Sequence, residues 1–207
     1  MSRPSKQTVN CPKCGKPIEF TLWQSINTYM EFAVPDIISG KLFEVECKSC
    51  GLKTRVNYPI LFNDMNHNIM IQYCMPDDID NAVEASRILE NAGCRIRIVT
   101  SQEELREKTA IFNAGYDDRI IELLKVFVIS SLEKELVGEN IEAAFFHIDE
   151  NNLKLELVID GKVAYVDVNA DEISKVEKTF QDKLAAIGDS AAIIDCKWAL
   201  VFLNRML

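Results

Sequence analysis

Two short stretches of sequence decide how the first part of this chain folds: Cys-Pro-Lys-Cys-Gly at residues 11–15 and Cys-Lys-Ser-Cys-Gly at residues 47–51. The C-x-x-C spacing lets two sulfurs of one tight turn reach the same metal ion at about 2.3 Å. The glycine that follows each pair permits the positive φ that such a turn needs. Two turns of this kind supply four thiolates, a ligand set that suits zinc. The sequence therefore predicts a closed, structural zinc site formed by Cys11, Cys14, Cys47 and Cys50.

Two other interpretations of the paired cysteines stay open, because a single C-x-x-C pair is also typical of redox dithiols and four thiolates also bind iron. A redox pair of the thioredoxin type lies between a strand and a helix. Here each pair precedes strand-like residues, at 16–22 and at 52–58, as in the knuckles of zinc ribbons. We therefore favour a metal that folds the chain and leaves no coordination position open for catalysis.

The 32 residues between Cys14 and Cys47 need structure of their own. The pattern predicts a short helix over residues 34–40, with Pro35 in its first turn and Gly40 at its end. A strand over residues 41–46 then leads to the second cysteine pair.

These residues resemble the bacterial CpXC-domain family over roughly residues 9–130. The resemblance rests on the Cys-Pro-x-Cys-Gly start, on the long insert that ends in Gly-Lys-Leu-Phe-Glu-Val-x-Cys, and on looser similarities at residues 58–65, 106–108 and 117–123. It implies metal-binding cysteines at the four positions named above and brings no established activity. The chain departs from the family pattern at Lys48, where the second motif usually has proline.

Charge is distributed unevenly along the chain. Residues 1–62 carry 8 basic and 5 acidic residues, and residues 63–207 carry 15 and 27, which gives +3 and −12 and a total of −9. Four thiolates with one zinc ion would remove about two units from that +3. An acidic surface repels phosphate, so nucleic acid is an unfavoured partner. The basic residues near the cysteines keep a nucleic-acid-associated zinc ribbon as an alternative: Lys13, Lys16, Lys48, Lys53 and Arg55.

The composition, 48% apolar and 27% charged, is typical of a soluble globular protein. We find no secretory signal and no uncharged stretch of 18 residues, so we expect a cytoplasmic protein that does not enter a membrane. Seven cysteines without an export signal fit metal ligands and buried thiols better than disulfides.

The rest of the chain alternates between strand and helix patterns. We predict a hairpin from Tyr58 through strand 69–74, a helix over 77–92 ended by Gly93, a strand over 94–100 and a helix over 101–112 that opens with a capping box. The longest predicted helix covers residues 117–136 and is apolar almost all round. It is either the central core helix of the second half or part of a homo-oligomer interface.

Residues 141–168 are predicted to form an antiparallel meander. If Asp160-Gly161 forms a two-residue turn, Lys154 lies opposite Asp167 and Leu155 opposite Val166. The same register places Glu156 opposite Tyr165. Asn169 should then cap a helix whose apolar stripe ends at Ile187, and residues 191–207 read as a strand followed by a helix, with Asp195 as its cap.

Other reactive side chains have no sequence neighbours that indicate chemistry. His67 and His147 lack a nearby nucleophile, and the acidic pair at residues 117–118 is explained by a helix start. The remaining cysteines are expected to be small buried side chains: Cys74, Cys94 and Cys196. No phosphate-binding, dinucleotide-binding or hydrolase motif occurs.

The sequence thus predicts an α+β protein with a zinc-ribbon-like segment over residues 1–75 and an α+β domain over residues 76–207, in which a mixed antiparallel sheet packs against helices. We expect a zinc-binding, non-catalytic binding or regulatory module with a protein partner still to be identified. The alternatives are the nucleic-acid-associated ribbon, a C-x-x-C thiol oxidoreductase, and an enzyme whose pocket forms in the second half from residues distant in sequence.

Overall fold

The computed structural model of the chain describes residues 2–91, 94–134, 138–149 and 152–206. It has an α+β fold, as predicted, and divides into two compact units, Met1–Thr109 and Ala110–Leu207. The boundary predicted between residues 75 and 76 lies inside the first unit. None of the helices in the described ranges is long and apolar enough to cross a membrane.

The first unit is built on a five-stranded mixed sheet. Its strands are β1 (Arg3–Asn10), β2 (Pro17–Asn27), β5 (Ile60–Asp64), β6 (Ile69–Tyr73) and β7 (Arg95–Val99), and this is also their spatial order. β2 pairs parallel with β5, so the chain between them forms a crossover connection. β5 and β6 form the predicted antiparallel hairpin, and β7 pairs parallel with β6.

The crossover connection carries the second cysteine pair. It contains α1 (Ala33–Ile38), a 3₁₀ helix (Lys41–Phe43) and a two-stranded antiparallel sheet of β3 (Glu44–Glu46) and β4 (Lys53–Arg55). Helix α1 and the left-handed Gly40 that follows it agree with the predicted short helix and its end. The strand predicted over 41–46 is wrong in its first half, because Lys41–Phe43 forms a 3₁₀ turn that places the Phe43 ring in the core.

Aromatic rings fill the centre of the first unit. Phe43 is fully buried, and its ring centroid lies 5.0 Å from that of Tyr58 and 6.0 Å from that of Tyr73. The alternating burial of β5 and β6 turns Ile60, Phe62 and their neighbours on one face towards this core. Burial raises the pKa of Tyr58 to about 12, so its hydroxyl stays neutral and donates to the Leu42 carbonyl at 3.1 Å.

Strand β7 lies between two helices in the chain. Helix α2 (Ile79–Asn91) precedes it, and Gly93, predicted to end this helix, lies outside the described residues. Helix α3 (Gln102–Asn113) follows, and the division between the units falls within it. The predicted capping box is present, since Glu104 N–H donates to Ser101 Oγ at 3.1 Å and Ser101 N–H to Glu104 Oε2 at 3.2 Å.

The second unit packs three helices against an antiparallel sheet. Its strands are β8 (Ile141–Asp149), β9 (Asn152–Ile159) and β10 (Lys162–Val168), in the order β10-β9-β8. The predicted register of the second hairpin is confirmed: Lys154 pairs with Asp167, Leu155 with Val166 and Glu156 with Tyr165. One sheet face therefore presents Leu155, Leu157 and Phe146 to the core.

Helix α4 (Asp118–Leu132) is the core helix of this unit. Residues 120–126 of α4 are buried, and α4 contacts both α5 (Ala170–Ile187) and α6 (Cys196–Asn204). Phe127, 42% exposed, lies over Phe180. Residues 135 and 136 of the predicted helix lie outside the described ranges. Self-association through this helix stays a prediction.

The last two helices begin at the predicted caps. Asn169 and Glu172 form a capping box at the start of α5, and the Asp195 carboxylate accepts from Trp198 N–H at 2.7 Å. The strand predicted before α6 is wrong, because residues 191–194 are irregular, with a bend at residue 192 and no strand pairing. Ile187, predicted to complete the buried stripe of α5, is 48% exposed because the helix ends at the next residue, Gly188.

The cap of α5 gives a first testable prediction. Replacing Asn169 by alanine is expected to lower the free energy of unfolding of the second unit by about 1 kcal/mol, because the Glu172 N–H loses its acceptor. Denaturant unfolding followed by the fluorescence of Trp198, in protein carrying Trp23→Phe, measures the change. Asn204→Ala, at the exposed end of α6, is the matched control, and equal effects from the two substitutions would contradict the prediction.

Candidate metal centre

Each cysteine pair lies at the tip of a β-hairpin. The first pair joins β1 to β2, whose last ladder pair is Asn10 with Pro17, and the second joins β3 to β4, which close on Glu46 and Lys53. Strand β1 was not predicted, because nearly all of its side chains are exposed and give no apolar alternation. Both knuckles predicted from the glycine-backed spacing are present.

The two turns have matching backbone hydrogen bonds. Cys11 N–H donates to the Lys16 carbonyl at 2.8 Å, and Cys47 N–H donates to the Leu52 carbonyl at 2.9 Å. Gly15 N–H bonds back to Cys11, as Gly51 N–H does to Cys47, at 2.9 and 2.8 Å. Gly15 and Gly51 have φ angles of 71° and 70°, a region that other residues rarely occupy. Each glycine thus lets its turn close on the preceding cysteine pair.

The two turns face each other and bring the four sulfurs together. All four Sγ atoms lie within 4.8 Å of one another. The shortest approaches join the two knuckles, with 3.6 Å between Cys11 Sγ and Cys50 Sγ and 3.6 Å between Cys14 Sγ and Cys47 Sγ. Burial differs between them, because Cys11 and Cys47 are buried whereas Cys14 is exposed.

These distances suit a tetrahedral ion rather than disulfides. Four sulfurs at about 2.3 Å from one ion lie roughly 3.8 Å apart, close to the 3.6 Å observed here. A disulfide needs its sulfurs at about 2.05 Å, and all four cysteines are free thiols. The cluster could therefore hold a metal ion.

A small apolar layer supports the two knuckles. Ile18 and Val45 are buried beside Cys11 and Cys47, and five partly buried side chains pack around them: Val9, Phe20, Cys50, Leu52 and Val56. A layer this small contributes little hydrophobic free energy compared with the cores of the two units. Metal binding would therefore contribute a large share of the local stability.

Hydrogen bonding makes one thiol acidic. Burial raises the pKa of Cys11, but the backbone N–H groups of Cys14 and Lys13 outweigh burial, and the pKa falls to about 6. In the second knuckle the backbone N–H of Ser49 lowers the pKa of Cys47. Backbone amides aimed at sulfur favour a thiolate in both turns, as a metal ligand or a reactive thiol requires.

The pKa of the Cys50 thiol is shifted in the opposite direction. The Leu52 backbone N–H lowers the pKa of Cys50, but burial and the hydrogen bonds to the other sulfurs outweigh it and raise the pKa to about 11. Four thiolates this close repel one another, so without a cation they do not all ionise at neutral pH. A divalent cation would supply the missing positive charge.

Two of the basic side chains near the knuckles have acidic partners. Lys53 Nζ lies 3.0 Å from Glu44 Oε1, and Arg55 Nη1 lies 3.8 Å from Glu103 Oε1. Both pairs reduce the positive charge that this surface presents to phosphate. The nucleic-acid alternative then depends on Lys13, Lys16 and Lys48.

The other candidate residues lie apart from the cysteine cluster. His67 Nδ1 bonds to the buried Asp64 carboxylate at 2.7 Å in the β5–β6 turn, and His147 Nε2 lies 3.1 Å from Glu156 Oε2. Cys74 is buried, and burial raises its pKa, which keeps the thiol neutral. Cys94 is half-buried.

In the second unit Cys196 Sγ lies 3.4 Å from Glu122 Oε2, and the same carboxylate is 3.0 Å from Lys125 Nζ. Asp117 caps α4 and pairs with Arg119 at 2.6 Å, in agreement with the helix-start interpretation of the acidic pair.

Comparison with known proteins identifies the first part of the chain. The family model described as CpXC protein matches residues 9–125, more than half of the sequence, and the match contains all four clustered cysteines. No curated protein and no solved structure gives a significant match. On the strength of the family match and the cysteine geometry, the chain belongs to the CpXC family.

Proposed function

We propose that Cys11, Cys14, Cys47 and Cys50 bind one zinc ion in a closed structural site, and that the protein is a non-catalytic, cytoplasmic binding or regulatory module. The observation that carries the proposal is the mutual approach of four sulfurs from two matching turns. Four protein ligands complete the tetrahedral shell of zinc, so no position is left for a substrate or an activated water. The role that follows is to stabilise the knuckles.

Metal analysis with thiol counting tests this proposal. We expect elemental mass spectrometry of untagged protein, purified without added metal, to find one zinc ion per chain. Four of the seven thiols should become open to alkylation when the metal is chelated, since thiolates bound to zinc are poor nucleophiles, whereas the buried Cys74 should react only after denaturation. If the analysis found one iron ion per chain instead, the identity of the metal in the proposal would change, and the four cysteines would remain its ligands.

The thiol oxidoreductase alternative predicts the opposite result. Metal-free protein with a Cys11–Cys14 or Cys47–Cys50 disulfide, or fast alkylation of Cys11 at neutral pH, would overturn the zinc site. The pKa of about 6 at Cys11 supplies the thiolate for such a reaction, but the side chain is only 2% exposed. The hairpin tips also lack the helix that follows the cysteines of thioredoxin-type motifs.

The pKa values predict how zinc affinity depends on pH. Because the pKa of Cys50 is about 11, this thiol must lose a proton when it binds metal. The apparent zinc affinity should therefore fall at least about tenfold for each unit that the pH drops from 8 to 6. Below about pH 6, Cys11 also takes up a proton, and the decrease becomes steeper.

Competition with a chromogenic chelator, corrected for the protonation of the chelator, measures this dependence. Proton release can be checked independently by calorimetry in two buffers that differ in ionisation enthalpy. An apparent affinity that stays constant between pH 6 and 8 would contradict ligation by Cys50.

A further inference from the structure

A groove in the second unit combines an apolar floor with basic side chains. It encloses about 480 Å³ between α6 and residues 187–194, within the range of roughly 300–1,000 Å³ that small-molecule sites occupy. Its floor includes Ile194 and Phe202, both buried, and the indole ring of Trp198 stacks on Phe202 at 5.4 Å between centroids. Apart from Arg119, the residues that line the groove lie outside the matched family region, and none of them belongs to the cysteine cluster.

Helix periodicity gives one wall of the groove its pattern. Lys197, Val201 and Arg205 are spaced four residues apart, so they follow one face of α6 and its C-cap. At 1.5 Å per residue the two basic positions are about 12 Å apart along the helix. Val201 lies between them and is 50% exposed. The wall is thus an apolar strip with a cation at each end.

The local charge is opposite to that of the unit. Residues 110–207 carry 10 basic and 18 acidic residues, a net charge of −8. The acidic residue among those lining the groove, Asp189, lies 4.0 Å from Arg119 Nε, and Arg119 is also paired with Asp117. Among the described residues, Lys197 and Arg205 have no acidic partner within ion-pair distance, and both are exposed. Their two charges are available to a ligand.

We propose that this groove binds a small amphiphilic organic anion, a carboxylate with an apolar tail. The tail would lie on Trp198, Val201 and Phe202, where burial removes apolar surface of both partners from water. The carboxylate would pair with Lys197 or Arg205 in a charge-assisted hydrogen bond. Neither an inorganic anion nor a neutral hydrocarbon uses both halves of this surface. The proposal does not depend on the zinc site.

Octanoate and 1-octanol are probes that differ only in the charged head. In the full chain carrying Trp23→Phe, Trp198 is the single remaining tryptophan and reports binding directly. We expect a saturable change in its fluorescence with octanoate, and at least fivefold weaker binding of 1-octanol. Raising the salt concentration should weaken octanoate binding alone, because salt screens exposed charges.

Charge-removing variants test the assigned residues. Lys197→Gln combined with Arg205→Gln should weaken octanoate binding roughly fivefold to tenfold and leave 1-octanol binding within twofold, since exposed ion pairs contribute modest free energies. The single variants show which end holds the carboxylate. Lys175→Gln combined with Lys178→Gln makes the same charge change on α5, outside the lining of the groove, and should have no effect.

Three outcomes would overturn the proposal: no saturable change up to about 10 mM octanoate, equal affinity for the two probes, or unchanged octanoate affinity in the double variant. Circular dichroism of each variant shows whether it folds. If the double variant unfolds, octanoate binding by the two single variants decides the question in its place.

Discussion

Replacing Cys11 by serine is expected to release the zinc ion that we propose for the cysteine cluster and to disrupt the ordered structure of both knuckles. Structural zinc sites supply about 10–16 kcal/mol, so one of four thiolates accounts for roughly 3 kcal/mol. Its loss should weaken zinc binding about a hundredfold or more. Elemental analysis measures the metal. Amide hydrogen exchange over β3 and β4 measures the structure, because the ladder they form has only three residue pairs.

The design of this experiment separates loss of the metal from a general effect of serine. Cys94→Ser makes the same chemical change in the first unit, at a half-buried residue outside the cluster, and should keep one zinc ion per chain. Cys50→Ser should repeat the result of Cys11→Ser, because the two sulfurs approach each other to 3.6 Å across the site. Full zinc occupancy and unchanged amide hydrogen exchange in both Cys11→Ser and Cys50→Ser would contradict a four-cysteine zinc site.

Replacing Phe146 by alanine should produce the largest loss of stability in the second unit. The side chain is fully buried between the sheet and the helices, and it meets the Tyr116 ring edge-on at 6.2 Å. Truncating a buried phenylalanine to alanine leaves a cavity where the ring was, and such a change lowers the free energy of unfolding by about 3–5 kcal/mol. Denaturant unfolding followed at Trp198, in protein carrying Trp23→Phe, measures the loss.

Phe127→Ala is the matched control, because that ring is 42% exposed and its removal leaves a much smaller cavity. We expect it to lower the free energy of unfolding by about 1 kcal/mol. Zinc content should be unchanged in both variants. A loss below about 1 kcal/mol for Phe146→Ala would contradict the core assigned to this unit.

Local signals in the sequence were sufficient for the parts of the fold that depend on neighbouring residues. The β9–β10 register follows from one turn, because Asp160 and Gly161 both adopt positive φ, of 47° and 73°. The α5 capping box and the glycine-backed knuckles are likewise encoded within a few residues of each other. The spacing of the cysteines also indicated that the two pairs share one site.

Features that depend on distant parts of the chain could not be predicted in this way. β1 carries exposed, polar side chains, and its strand structure depends on the ladder with β2. β7 joins the first sheet by parallel pairing with β6 across the intervening α2, which moves the division between the units past residue 75. The groove beside α6 combines a loop with a helix face and has no motif. The short distance between the sulfurs of Cys11 and Cys50 depends on how the two hairpins are placed in space, which the spacing of the cysteines does not give.

The crossover between β2 and β5 has a consequence for how freely the spacing of the cysteines can change. The chain leaves the sheet at Asn27 and passes through the exposed Tyr29, 79% accessible, before α1 begins. Extra residues at this point would lengthen a surface turn while both hairpin tips kept their own hydrogen bonds. Loop-closure entropy grows slowly, by about 0.6 kcal/mol for each doubling of length. A peptide tag inserted after Tyr29 would therefore leave the cysteine cluster intact. The number of residues between the two cysteine pairs is for the same reason a poor criterion for recognising such a site in other genomes.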